Sequence, residues 1–181
     1  MIVAGVLMAS ALTTTACGSG EGSQTSGGDH DPCLLGTWTV DMPDLAGQFP
    51  KVLPYPGGTG QGTGTVTVTF ADQLTVAYAD HFDVSVSIGG FPSVMSVDYQ
   101  GSAASSQWRT AGGMLTGAMD AGKAVTIDAV LKNAYTSKSV DAPAGGDLQL
   151  SGEGRAYACS GGTATISGQN QTGITWKLSK A

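Results

Sequence analysis

From residue 33 onward, apolar and polar residues alternate along most of the chain. Leu34, Gly36, Trp38 and Val40 share one parity. Val66, Val68 and Phe70 alternate with Thr65, Thr67 and Thr69, and Leu74, Val76 and Tyr78 repeat the pattern. Phe82, Val84, Val86 and Ile88 follow, then Val125, Ile127, Ala129 and Leu131, then Ile174, Trp176 and Leu178. A period of two puts successive side chains on opposite faces, so these runs predict antiparallel strands covered on one side. Thr and Val suit such strands because a branched Cβ fits the pleated surface. Ala71-Asp72-Gln73, Ala79-Asp80-His81, Gly89-Gly90, Gly112-Gly113, Asp120-Ala121-Gly122 and Gly161-Gly162 read as tight connections. The expected fold is all-β, an antiparallel up-and-down barrel of about 8–10 strands, because closure removes exposed edges. No segment carries a long 3.6-residue repeat.

One connection is long. Residues 42–63 read as a lid-like loop, with a short helix near 44–50 capped by Asp44 and ended by Pro50. Leu45, Phe49, Val52, Leu53 and Tyr55 need an apolar surface to rest on, which makes Leu45, Phe49, Leu53 and Tyr55 candidate lid residues. The Gly-rich run 56–62 lacks phosphate-loop spacing and leads into a strand, so a mobile loop tip is expected.

The N-terminus has a different character. Residues 1–16 carry no charge and are too short to span a bilayer, which takes about 20 apolar residues. They fit the apolar part of a secretory signal. The segment Thr14-Thr15-Ala16-Cys17, followed by Gly18-Ser19-Gly20, resembles the lipobox of bacterial lipoproteins. That resemblance implies cleavage before Cys17, a lipid on Cys17, and an exported protein anchored at the extracytoplasmic side of the cell membrane. It departs from the family pattern at Thr14, where Leu is usual, and in lacking Lys or Arg before the apolar run. Residues 17–32 then form a lipidated Cys and flexible Gly/Ser tether, and residues 33–181 the barrel domain. Asp29-His30-Asp31 has metal-ligand residue types, but a flexible tether does not preorganise them, so they read as solvated linker.

With Cys17 lipidated, Cys33 and Cys159 remain, an even pair in an exported chain. A disulfide between them is favoured over two free thiols or a metal pair. No CxxC or HxxxH partner accompanies them.

The run Leu35-Gly36-Thr37-Trp38 is similar to the first signature of lipocalins and related calycin barrels. In that family the Trp sits at the closed end of the barrel beneath a basic residue from the last strand. The resemblance implies a barrel-closing motif of Gly36 and Trp38, with Lys177 or Arg155 as the covering cation. Cys33, Tyr157-Ala158-Cys159-Ser160-Gly161 and Trp176-Lys177-Leu178 also look like small actinobacterial lipoproteins with lipocalin-like domains. The later lipocalin signatures are not present.

Composition narrows the function. The net charge is −6, with 8 Lys+Arg against 14 Asp+Glu, so a nucleic-acid partner is not expected. Catalysis needs a positioned base, nucleophile or metal, and the chain carries only 2 His and no hydrolase or zinc motif. His81, in Asp80-His81-Phe82-Asp83, has two carboxylates that would make it a base, but a turn explains the same residues. No enzyme activity, cofactor or metal is expected. Asn170-Gln171-Thr172 matches a glycosylation sequon, incidental in a bacterial lipoprotein. Small residues at 101, 103, 104, 117 and 118 favour room inside a barrel. The expectation is a monomeric, lipid-anchored binding protein for a small hydrophobic ligand or lipid at the cell envelope. The alternative is a structural or interaction lipoprotein with a filled barrel.

Overall fold

The computed structural model describes residues 29–53, 57–120, 125–141, 148, 150, 154–167 and 173–181. Cys17, most of the tether, Tyr55 and the sequon lie outside the described residues. In chain order the elements are β1 (Gly36–Val40), α1 (Met42–Val52), β2 (Thr59–Phe70), β3 (Leu74–Ile88), β4 (Phe91–Ser105) and β5 (Arg109–Ala111). Then follow β6 (Met114–Thr116), β7 (Val125–Asn133), β8 (Ser137–Ser139), β9 (Arg155–Ser160), β10 (Thr163–Ser167) and β11 (Thr175–Lys180).

The strands make one antiparallel sheet in the order β5-β6-β9-β10-β11-β1-β2-β3-β4-β7-β8. It curls into a half-barrel. The expectation of an all-β, barrel-like protein is met, and strand parity follows the alternation except in β7, where Ile127 is exposed. Closure is not: among the described residues the sheet has two ends, β5 and β8. The reason is the β5–β6 hairpin. Instead of continuing from β4, it joins β9 at the far end, and β4 pairs with β7. The described residues make 11 strands rather than 8–10.

Inward residues form one core that includes all three Trp, at 38, 108 and 176. Trp38 is fixed by its indole N–H, which donates to the Leu34 carbonyl at 2.6 Å. The cation over its ring is Lys180, with Nζ 5.3 Å from the ring centroid. This corrects the expected Lys177, which pairs with Asp44, and Arg155, which is buried on β9. Gly36 explains the choice. Its φ is +118°, and a Cβ there would press on the Lys180 side-chain stem at 3.3 Å. Cys33 and Cys159 form a disulfide across a sequence separation of 126 residues. In the chain-entropy account, a closed loop of that size stabilises by about 5 kcal/mol at most.

The long loop of the prediction is mostly regular structure. The helix runs from Met42 to Val52, capped by Asp41, whose carboxylate accepts the Asp44 N–H at 3.0 Å. Asp44 sits in the first turn and Pro50 lies inside the helix, correcting the expected cap and stop. The Gly-rich run is not a loop tip from residue 59 on but the first half of β2. Positions 58, 60 and 62 share the inward parity of Val66, Val68 and Phe70, and they face α1. A Cβ on Gly60 would overlap the Ala46 carbonyl, and one on Gly62 would lie 3.0 Å from the Ala46 Cβ.

Gly60→Val is therefore expected to lift α1 and to destabilise the protein by about 1–3 kcal/mol, the range for overpacking. Gln61→Val, at an exposed position of the same strand, is the control and should change stability little. Urea denaturation of both variants measures this, and equal midpoints would remove the close-approach argument.

Candidate functional site: the concave face beneath α1

Met42, Leu45, Ala46 and Phe49 recur at helical spacing and are the buried residues of α1. The predicted lid residues Leu45 and Phe49 are thus part of the core, Leu53 packs partly buried against it, and Tyr55 is outside the described residues. The helix is clamped to β11. The Gln48 side-chain amide donates to the Thr175 carbonyl at 2.8 Å, and its carbonyl accepts the Thr175 N–H at 2.7 Å, as a neighbouring strand would. Lys177 Nζ pairs with Asp44, which holds the Lys177 ammonium above its ordinary range.

Aromatic rings line the face under the helix. Phe49 tilts onto Phe82 at 4.7 Å, and Phe82 meets Tyr99 edge-on at 5.8 Å. Tyr78 lies 6.2 Å from Tyr99 and 6.4 Å from Trp176. The Tyr78 hydroxyl accepts the backbone N–H of Leu148 at 2.8 Å, so Leu148 and Leu150, both buried, close another part of the face. The small residues expected to make room do not all point inward: Gly101 and Ala118 are exposed, while Ala104 is buried.

Within this apolar lining some buried polar groups have no hydrogen-bond partner among the described residues. Among them are the carboxyl of Asp80, only 2% exposed, and the indole N–H of Trp176. Asp80 follows the inward parity of Tyr78 and Phe82 on β3, opposite Tyr99 on β4 and Gly64 on β2. Burial pushes its pKa up from 3.8 to about 7. The Asp98 carboxylate adds to the rise and His81 opposes it.

His81 is on the other face. It lies in the middle of β3, not in a turn, which corrects the reading of Ala79-Asp80-His81 as a connection. Its Nδ1 is 2.8 Å from Asp98 and its Nε2 is 3.2 Å from Asp83. The hydrogen bond to Asp98 chiefly holds its pKa above the ordinary value. Asp83 is held below the usual carboxylate range, first by the Ser96 hydroxyl it accepts at 2.7 Å.

Residues 29–31, expected to be solvated tether, are fixed to the domain. The His30 ring stacks on Trp108 at 3.8 Å with an interplanar angle of 3°. The Asp29 carbonyl accepts the Thr110 N–H at 2.7 Å. Asp31 accepts the Cys33 N–H and, at 2.8 Å, the Tyr157 hydroxyl, whose pKa is pushed up to about 12 by burial and then by Asp31. Among the described residues no group of three or more His, Cys, Asp or Glu is arranged to hold a metal. Nor is any helix among them long and apolar enough to cross a membrane.

Comparison with protein-family models, curated proteins and solved structures finds no match to this chain.

Asp80 gives the fold a pH dependence. Its folded pKa is raised, so the stability linked to its proton is full below about pH 4 and is lost as pH rises through about 7. A displacement of that size corresponds to at most about 4 kcal/mol. Asp80→Asn should flatten the decline between pH 4 and 8 and be the more stable form at pH 8. His81, also raised, keeps its own loss above its ordinary pKa in both proteins. Urea midpoints across this range decide the matter, and parallel curves for the two proteins would show that Asp80 is not the titrating group.

Proposed function

We propose that this is an exported protein, anchored through a lipidated Cys17, whose half-barrel holds a small apolar molecule against the concave face beneath α1. The observation that carries the reading is that the Asp80 carboxyl and the Trp176 N–H, buried in an aromatic-lined face, have no hydrogen-bond partner among the described residues. Buried polar groups in finished cores are nearly always hydrogen-bonded, so an exception calls for an explanation. A ligand that supplies the missing partners is one. The reading makes the fold a lipocalin-like container, closed at one end by Gly36 and Trp38 on β1, with α1 as its cover. It is non-catalytic and acts as a monomer.

A second reading is a filled half-barrel that presents its surface to another envelope component. The seating of Leu45 and Phe49 in the core favours it, because α1 then serves as a permanent plug. Native, non-reduced mass spectrometry of protein from its own cells separates the two. The container reading expects a lipid mass on Cys17, an extractable apolar molecule, and binding of a hydrophobic dye after extraction. Protein with no extractable molecule and no dye binding would leave the filled half-barrel standing.

A further inference from the structure

We propose that the concave face takes an apolar molecule bearing a single ammonium group, with Asp80 as its counter-ion and the rings of Tyr78, Phe82 and Tyr99 around the charge. The inference rests on the container reading and names the ligand class for the same site.

Three observations point this way. First, the Asp80 carboxyl is 2% exposed and has no hydrogen-bond partner among the described residues. A buried carboxylate is ordinarily paired with a cation. Second, basic groups of β3 and β11 are committed elsewhere. Lys177 pairs with Asp44, Lys180 stands over Trp38, and His81 uses both ring nitrogens on Asp83 and Asp98 across the sheet. Third, the immediate surroundings are aromatic. Tyr78 and Phe82 flank Asp80 on β3, and Tyr99 is its register partner on β4. Phe49 of α1 closes against Phe82. Ring faces attract ammonium groups, and more so where water is excluded.

The opposite strand position completes the arrangement. Gly64 faces Asp80 from β2 and carries no side chain that could pair with it. Other polar ligand groups fit less well. A carboxylate would bring a second negative charge beside Asp80 and Asp98. A hydroxyl would bring one donor and no charge. An ammonium brings the opposite charge together with N–H or C–H donors, and returns Asp80 to its ionised form. Because Asp80 is so fully enclosed, loading takes a shift of α1 or of the rings beside it.

The test uses the purified full chain, freed of bound molecules, with dodecylammonium, dodecanol and dodecanoate below their micellar concentrations. Calorimetry measures each affinity. The expected result is binding of dodecylammonium at least about tenfold tighter than dodecanol. Asp80→Asn, nearly isosteric, should erase the preference of dodecylammonium over dodecanol, and Asp80→Leu should do the same. Asp83→Asn on the outer face should preserve it, which excludes attraction to the acidic surface as its source. Equal affinity for the three probes, a preference for dodecanoate, or an ammonium preference that survives Asp80→Asn would overturn the ammonium proposal and leave the container reading intact. No binding of any probe would overturn both.

Discussion

How closely a helix can approach a curled sheet governs the rest of this molecule. Side chains on both surfaces normally hold the two backbones apart. Here β2 presents glycine at 60 and 62, inward positions that α1 covers. Pro50 supplies the other half of the fit. It has no N–H to give to the Ala46 carbonyl one turn earlier, and its ring crowds that carbonyl. The Ala46 carbonyl is the very group that stands over Gly60. A proline that would be a fault in an isolated helix is thus matched by a glycine in the facing strand. With α1 seated this close, Phe49 reaches Phe82, and Gln48 reaches the backbone of β11. The helix thereby bridges strands on both sides of β1.

Strand β3 carries the electrostatic character of the site because its period is two. Neighbouring residues 80 and 81 fall in opposite environments, one in an aromatic core and one on an acidic outer face. The outer carboxylates hold His81 toward its charged form. The same Asp98 that does so also raises the inner Asp80. The sheet is thin enough for the two faces to act on each other, and an inner carboxyl is driven toward its neutral form by burial and by a neighbour on the other side.

Much of the fold was legible from parity alone. The alternation at 34–40, 66–70, 74–78, 82–88, 125–131 and 174–178 matches strands, and the Cys33–Cys159 pairing followed from counting. The helix was not legible in the same way. Its apolar spacing, 42, 45, 46 and 49, spans only eight residues, contains Pro43 and is followed at once by Pro50. The Gly-rich half of β2 read as loop because glycine is poor in strands by propensity, and only the approach of α1 makes it necessary. At Asp80 the alternation itself was sound. Continuing it would have placed a carboxylate in the core, where Asp is rarely found, so a turn was the natural alternative. The residue that broke the local rule is the one on which the candidate site depends, and such conflicts tend to collect at functional positions.

The three tryptophans give an internal standard for whether this core is finished. All are buried, and each indole N–H must find an acceptor or go without. Trp38 donates to Leu34 and Trp108 to Ala71, each a backbone carbonyl within the chain. Around Trp108 the packing is continued by the stacked His30, and beyond it Asp31 and Tyr157 satisfy each other. There, among the described residues, only the Ser105 hydroxyl, small and uncharged, is left over. Trp176 differs: its N–H has no acceptor among the described residues, and it belongs to the same aromatic lining that encloses the Asp80 carboxyl. One chain has therefore solved the same problem twice and left it open once. A uniformly loose core would scatter such groups. Here the donor and the acid both fall in the face that α1 covers, which is where an occupant from outside the chain would complete the packing.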